Sequence, residues 1–334
     1  MVTTDTCTAL SPEVLGCVDI HVNGISVLRE NSLSVIDFSD PNLDLDAVKM
    51  ATETLRSRGV SYYCPTITTS TIETYQKVLP VLSQAMKEPW GRAILGIGIE
   101  GPYFSVSCRG AHSESIVREN QIIDVRYIAE LFKLAEGKIS WITLSPALDG
   151  SIEAISQIKN DFGVVVSLGH HNATTEQLIE AFGAGATGVT HFGNAWTREL
   201  KSAKDISTAV QFAWPDVYKM VIPDNKHVPI NPIVSSLSIC NPNHIIYVSD
   251  LSPLANAPVG TKKIVFRELE ATVVERDGTK FTDPLSGSML DLVECRELVR
   301  QANAVKEDVI IKATTINPIS FLQPALERIG WSPE

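Results

Sequence analysis

Six polar residues stand where short, Val- and Ile-rich runs end: His21 and Asn23, Glu100, His170, His191 and Asp250. One carboxylate and two imidazoles, drawn from three different strand ends, would offer three ligands that suit a divalent ion and leave a fourth position open, the pattern of a catalytic zinc site. An ion so held lowers the pKa of its water to about 7 and polarises a carbonyl, and Asp250 would then shuttle the proton. Each residue alone has a plainer reading. A histidine at a strand end is usually a hydrogen-bonding group, and an aspartate there is commonly a helix N-cap. Their coincidence at strand ends of one polarity favours the chemical reading.

Such a convergence needs elements that bring distant residues to one place. Residues 17–22, 60–64, 93–99, 139–144, 164–168, 188–191, 218–222 and 244–249 read as eight short apolar strands. Between them, segments such as 45–58, 125–136, 152–159 and 175–182 carry apolar residues at helical spacing, as in Leu45, Val48, Ala51 and Leu55. Thr174 with Gln177 fits a capping box opening the last of these. Strand–helix alternation repeated eight times predicts an α/β fold of the closed parallel (β/α)8 kind, with its site at the C-terminal strand ends. A doubly wound sheet is the alternative, but no G-x-G-x-x-G follows the first strand and no Walker loop is present. Residues 262–283 break the rhythm: 263–266 and 271–274, followed by Arg276-Asp277-Gly278, read as an inserted β-hairpin. A helix over 290–304 closes the barrel, and 308–331 reads as helical turns interrupted at Asn317-Pro318 and Gln323-Pro324.

The composition narrows the partners. Among 334 residues, 28 Lys and Arg against 39 Asp and Glu leave a net charge of −11, with 44% hydrophobic and 20% charged residues. That balance suits an acidic globular protein and argues against nucleic acid or an anionic membrane as partner. The apolar runs are far shorter than the ~18 residues of a membrane span. The first sixteen residues hold no Lys or Arg and no apolar run, so a cytoplasmic location is expected. Six cysteines without a C-x-x-C pair read as reduced, structural thiols.

Gly16-Cys17-Val18-Asp19-Ile20-His21-Val22-Asn23-Gly24, Glu100-Gly101-Pro102-Tyr103, Arg109-Gly110-Ala111-His112, Gly169-His170-His171-Asn172-Ala173 and Thr190-His191-Phe192-Gly193-Asn194-Ala195 form an ordered set. It continues through Asp224-Asn225-Lys226-His227, Ser249-Asp250 and Ser286-Gly287-Ser288. Together these segments resemble the N-acetylglucosamine-6-phosphate deacetylase family, barrels of the amidohydrolase superfamily. The resemblance implies a barrel over 16–322 with its hairpin at about 262–283, flanked by an N-terminal extension (1–15) and a C-terminal tail (323–334). It implies that Glu100, His170 and His191 bind one divalent ion, Zn²⁺ first, with Fe²⁺, Co²⁺ and Mn²⁺ accepted by the same ligands. His21 and Asn23 would bind a second metal or support the first. One metal is favoured, because an amide is a poorer ligand than imidazole. Asp250 would act as general base and then general acid. Ala111, His112, Asn194, Ala195, His227, Leu285, Ser286 and Gly287 would contact an amino-sugar substrate, giving acetate and glucosamine 6-phosphate. A homodimer is the family's assembly.

The chain departs from the pattern in two ways. The Arg-Pro-Gly-type segment that holds the sugar phosphate is not recognisable in residues 196–206, where Arg198, Lys201 and Lys204 read as solvated charges. A different acetamido sugar, a cyclic amide, or a non-catalytic binding role therefore stay open. Only fifteen residues precede Gly16. A residual small β element is thus expected where the family has a β-sandwich, with most of that sandwich missing and part of the barrel's outer surface uncovered.

Overall fold

The computed structural model describes residues 15–29, 32–194, 214, 216–234, 241–266, 268–276 and 278–333. The first strand, β1 (Cys17–Val22), leads directly into a hairpin, β2 (Gly24–Arg29) and β3 (Ser32–Asp37). Strands then alternate with helices: β4 (Val60–Thr68), β5 (Ile97–Glu100), β6 (Ile139–Leu144), β7 (Val165–Leu168), β8 (Gly188–Val189), β9 (Tyr218–Val221) and β10 (Ile245–Tyr247). β1 and β4 to β10 form one eight-stranded parallel sheet in chain order, as the alternation predicts. β1 and β6 are buried at every residue, because a barrel strand has packed side chains inside and helices outside.

Local signals explain the helices. Asp44 caps Leu45–Ser57 by accepting from the Ala47 N–H at 2.8 Å, and Val48, Ala51 and Leu55 turn inward at the spacing read from the sequence. The Thr174–Gln177 capping box opens Thr175–Ala184, and Gly185, at φ 119°, ends it.

The seam between β10 and β1 closes differently. A single bridge joins Val22 to Leu251, and the Asn23 N–H donates to the Leu251 carbonyl at 3.0 Å. Lower down, the fully buried Asp19 carboxylate accepts from the backbone N–H of Ser249 at 3.2 Å and from its hydroxyl. Burial pushes the Asp19 carboxyl up to about 7, against the hydrogen bonds from Ser249, which favour its charged form. One side chain does here what a ladder does elsewhere.

At the opposite end, Ile319, Phe321, Leu322 and Leu326 pack with Val18, Ile20, Trp141, Met220 and Ile246. Their helix, Ile316–Ile329, touches β1, β6, β7 and β10, strands on opposite sides of the barrel, so it floors the barrel. It continues past residue 322 and through Pro324, where an interruption was expected. Pro318 falls in its first turn, which needs no donor, and the loss at Pro324 is offset by burial of Leu322, Ala325 and Leu326.

Two small sheets lie above the other end. The expected hairpin is a three-stranded antiparallel sheet, β11 (Lys262–Val265), β12 (Leu269–Arg276) and β13 (Thr279–Asp283). β13 escapes a hydrophobicity reading because its polar residues are held by pairing, Phe281 opposite Val274 and Thr282 opposite Val273. Val265, Phe266, Ala271 and Val273 share a satellite core with Leu254, Ala257 and Met289, against which Leu33 and Val35 of β3 pack. Leu28 and Ile264 are each 60% exposed on these sheets. Cys17, Cys64, Cys108 and Cys295 form no disulfide. No described helix is long and apolar enough to cross a membrane.

Candidate metal and active site

Glu100, the last residue of β5, is 2% exposed and is the hub of the barrel mouth. Its Oε1 lies 2.7 Å from His191 Nε2 and 3.3 Å from His170 Nε2, while Oε2 lies 3.3 Å from His21 Nε2 and 3.6 Å from His112 Nε2. Asp250 completes the group: its Oδ1 is 3.3 Å from His21 Nε2 and accepts from Asn23 Nδ2 at 2.6 Å. His21, Asn23, Glu100, His170, His191 and Asp250 therefore meet, and His112 joins them.

The backbone is strained where it turns these side chains inward. His170, His191 and Asp250, each following its strand by two or three residues, have φ of 51°, 34° and 51°. Left-handed backbone on non-glycine residues costs about 1–3 kcal/mol each and persists only where the surroundings enforce it. Gly287 shows one such constraint. The Ser288 N–H donates to the Asp250 carbonyl at 2.8 Å, and a Cβ on Gly287 would lie 2.6 Å from that same oxygen.

The protonation pattern follows from burial and one anion. Burial works against the Glu100 charge, but the imidazoles around it, the charge on His21 foremost, hold its carboxyl well below the usual range. Burial also opposes a charge on His21, yet Glu100 and Asp250 push its pKa up to about 9. Desolvation prevails at His112, pushed down to about 3, and at His191, also lowered. His21 keeps a proton while His112 and His191 stay neutral.

Among the described residues, two sets of donor atoms lie close enough to share an ion, Glu100 with His112 and His170, and Glu100 with His21 and Asp250. His170 supplies a chemical test of the fit. Its Nδ1 lies 2.9 Å from the Cys108 carbonyl oxygen, which can only accept. In the neutral ring the proton is then on Nδ1, and the Nε2 lone pair faces the Glu100 carboxylate. Two lone pairs facing each other repel unless a cation lies between them, and a carbonyl behind the ring is the usual support of a metal-binding histidine. The donor set fits a divalent cation.

The remaining residues read from the sequence divide. His227 is oriented by Asp224, whose Oδ2 lies 2.8 Å from His227 Nδ1, and Oδ1 accepts from the N–H groups of Lys226 and His227. Asn194 follows His191, and its buried Oδ1 has no hydrogen-bond partner. Leu285 and Gly287 line a depression with Asp224, Lys226 and Phe281, beside the Asp250 backbone. Ser286 instead turns inward, where its backbone N–H donates to Thr282 Oγ1 at 2.8 Å. Ala111 packs against the satellite core. Ala195, Arg198, Lys201 and Lys204 lie outside the described residues. The sequence reading passed over Asp19, Asp224 and Phe104, whose ring stacks 4.2 Å from that of His170. Only Asp224 had a local signal, three residues before His227.

The Asp224–His227 pair sets a pH dependence. Burial raises the Asp224 carboxyl, but the His227 charge and the hydrogen bonds outweigh it and hold it below its ordinary 3.8. Burial lowers His227, and Asp224 outweighs it, raising the imidazole above 6.5. The carboxylate's contribution to stability is lost as pH falls through the depressed value, and the imidazolium's as pH rises through the raised one. Thermal midpoints of the wild type and Asp224→Asn should differ most between about pH 4 and 6.5 and converge on either side. A constant difference from pH 4 to 9 would exclude the ion pair as its cause.

The amidohydrolase family model matches residues 14–325. The chain belongs to the amidohydrolase family. It is 28% identical to the N-acetylglucosamine-6-phosphate deacetylase of Danio rerio over 92% of this chain and 74% of that one. It is equally similar, at 28%, to the N-acetylgalactosamine-6-phosphate deacetylase of Shewanella sp. (strain ANA-3), over 93% and 74%. The fold matches that of the N-acetyl-D-glucosamine-6-phosphate deacetylase of Mycobacterium smegmatis, solved with N-acetyl-D-glucosamine-6-phosphate, with a TM-score of 0.80, 23% identity, and coverage of 93% and 77%. This amidohydrolase thus has a parallel barrel with a candidate metal site of Glu, His and Asp at its mouth.

Proposed function

We propose that this amidohydrolase cleaves the acetamide of N-acetylglucosamine 6-phosphate, giving acetate and glucosamine 6-phosphate. The observation that carries the reading is the placement of Asp250 beside the Glu100–histidine cluster, with His21 Nε2 3.3 Å from both carboxylates. Glu100, His170 and His191 would hold one divalent cation, supported by His21. When bound, such a cation polarises a carbonyl and makes water a stronger acid.

The chain's own residues supply the rest. Asn23 holds Asp250 through Oδ1, so proton exchange falls to Oδ2. The carboxylate takes a proton from the attacking water and returns it to the departing amine. His112, buried and neutral, is placed to donate to the oxygen that gains charge as the carbonyl carbon becomes tetrahedral. His227, locked by Asp224, orients the sugar.

The 6-phosphate needs a cation. Lys226 lines the depression beside Asp250, with Nζ 5.1 Å from the Phe281 ring centroid, and is assigned that role. Lys226→Ala should raise KM for the phosphorylated sugar about tenfold, the worth of one charge-assisted hydrogen bond, and leave KM for N-acetylglucosamine unchanged. The equal likeness to a galactosamine-type enzyme makes N-acetylgalactosamine 6-phosphate the second reading. Acetate release from the two epimers and from N-acetylglucosamine decides among them. Equal kcat/KM with and without phosphate would end the phosphate assignment, and a preference for the galacto epimer would select the second reading.

A further inference from the structure

Three histidines of the mouth are supported in different ways. His170 has its Nδ1 on the Cys108 carbonyl, and His227 has its Nδ1 on Asp224. His112, 4% exposed, has no hydrogen-bond partner at Nδ1. Among the described residues, nothing polar fixes the far side of its ring. What surrounds the ring is aromatic: Phe104 at 4.9 Å, His170 at 4.7 Å and Phe266 at 5.1 Å, all three edge-on at 71°, 85° and 70°. Edge-to-face packing of this kind is directional as well as apolar.

Phe266 belongs to another part of the chain. It sits in the turn between β11 and β12, is 8% exposed, and has φ of 49°, an outlier for an aromatic residue. The same turn is tied to the segment after His112. Glu268 Oε1 accepts from the hydroxyls of Ser113 at 2.5 Å and Ser115 at 2.6 Å, and the carboxylate also accepts from the Glu114 N–H. Ala111, on the other side of His112, packs into the satellite core. The small sheet thus grips the segment 111–115 at three points.

We propose that Phe266 and Glu268 are positioning residues for the deacetylation reaction: the β11–β12 turn sets the orientation of the His112 ring toward Glu100. The kinetic side of this inference rests on the deacetylase reading above, and the orientation itself does not. Phe266 sets the ring directly. Glu268 sets it through Ser113, whose hydroxyl also accepts from the Ile116 N–H and so fixes the helix that begins at Glu114.

The test uses the full chain with ¹⁵N-labelled histidine, which gives seven imidazoles to follow. In Phe266→Ala and in Glu268→Ala, the His112 ring signals should move while those of His244 stay fixed. Glu268→Gln, which keeps the accepting oxygen, should restore the wild-type position. With N-acetylglucosamine 6-phosphate, Phe266→Ala should lower kcat about tenfold, the scale of a misplaced catalytic group, with KM within about twofold. In a His112→Asn background the same substitution should change kcat by less than about twofold, because the group it acts through is gone. Unmoved His112 signals in both alanine variants, or equal losses in both backgrounds, would overturn the proposal. Glu268 is in an exposed turn, so its variants keep the test open if Phe266→Ala fails to fold. If the wild type releases no acetate, the deacetylase reading fails and the ring signals still decide the positioning.

Discussion

Asp250→Asn is expected to lower kcat by about 10³-fold, within the usual range for loss of a positioned acid–base group, while KM stays within a few-fold. The substitution separates charge from shape. An asparagine keeps the Oδ1 that accepts from Asn23 Nδ2 and fills the same volume, yet it cannot take a proton. It also suits the backbone, since asparagine tolerates the left-handed conformation that this position adopts at φ 51°. Acetate release measured with saturating cation checks the first result, and cation affinity measured in parallel checks a rival role. Asp250 could share an ion with His21 and Glu100, so a variant that loses the ion rather than turnover would make this aspartate a ligand. A variant within tenfold of wild type in kcat would move the proton transfer elsewhere.

The second large effect is expected from removing the ion. Chelation should reduce acetate release by about 10³-fold or more, since carbonyl polarisation is worth several kcal/mol at the barrier, and added Zn²⁺ should restore it. The same ion should act on stability. A cation that binds only the folded chain raises the thermal midpoint with its concentration. Glu100→Gln should abolish that dependence, because the Glu100 carboxylate lies within 3.6 Å of four imidazoles. A chelated protein as active as the untreated one, or a Glu100→Gln midpoint that still climbs with Zn²⁺, would remove the metal from the assignment.

Much of the barrel was legible because its strands announce themselves in one dimension. β1 and β6 are short runs dominated by Val, Ile and Leu and buried at every residue, and the Thr174–Gln177 capping box is wholly local. The site residues were legible because they stand where those runs stop. The hairpin of β2 and β3 was not, because only Asn23 separates it from β1 and no loop residues mark the boundary. β13 was missed because Lys280, Thr282 and Asp283 read as polar until their partners on β12 are known. Glu268 and Asp19 were invisible as functional positions for a related reason. Glu268 acquires its role from Ser113, 155 residues away, and Asp19 from Ser249, 230 residues away. A local pattern carries no trace of such pairings.

The distance along the chain between the parts of the site has a consequence for how the protein matures. Asn23 and Asp250 touch across 227 residues, and His21 on β1 meets Glu100 of β5, Trp141 of β6 and His191 after β8. Enclosing so long a loop is paid in chain entropy well before any ligand set exists. An inorganic ion held by these groups would therefore be a late guest, entering an almost finished vessel during biogenesis instead of acting as the template around which the nascent polypeptide gathers.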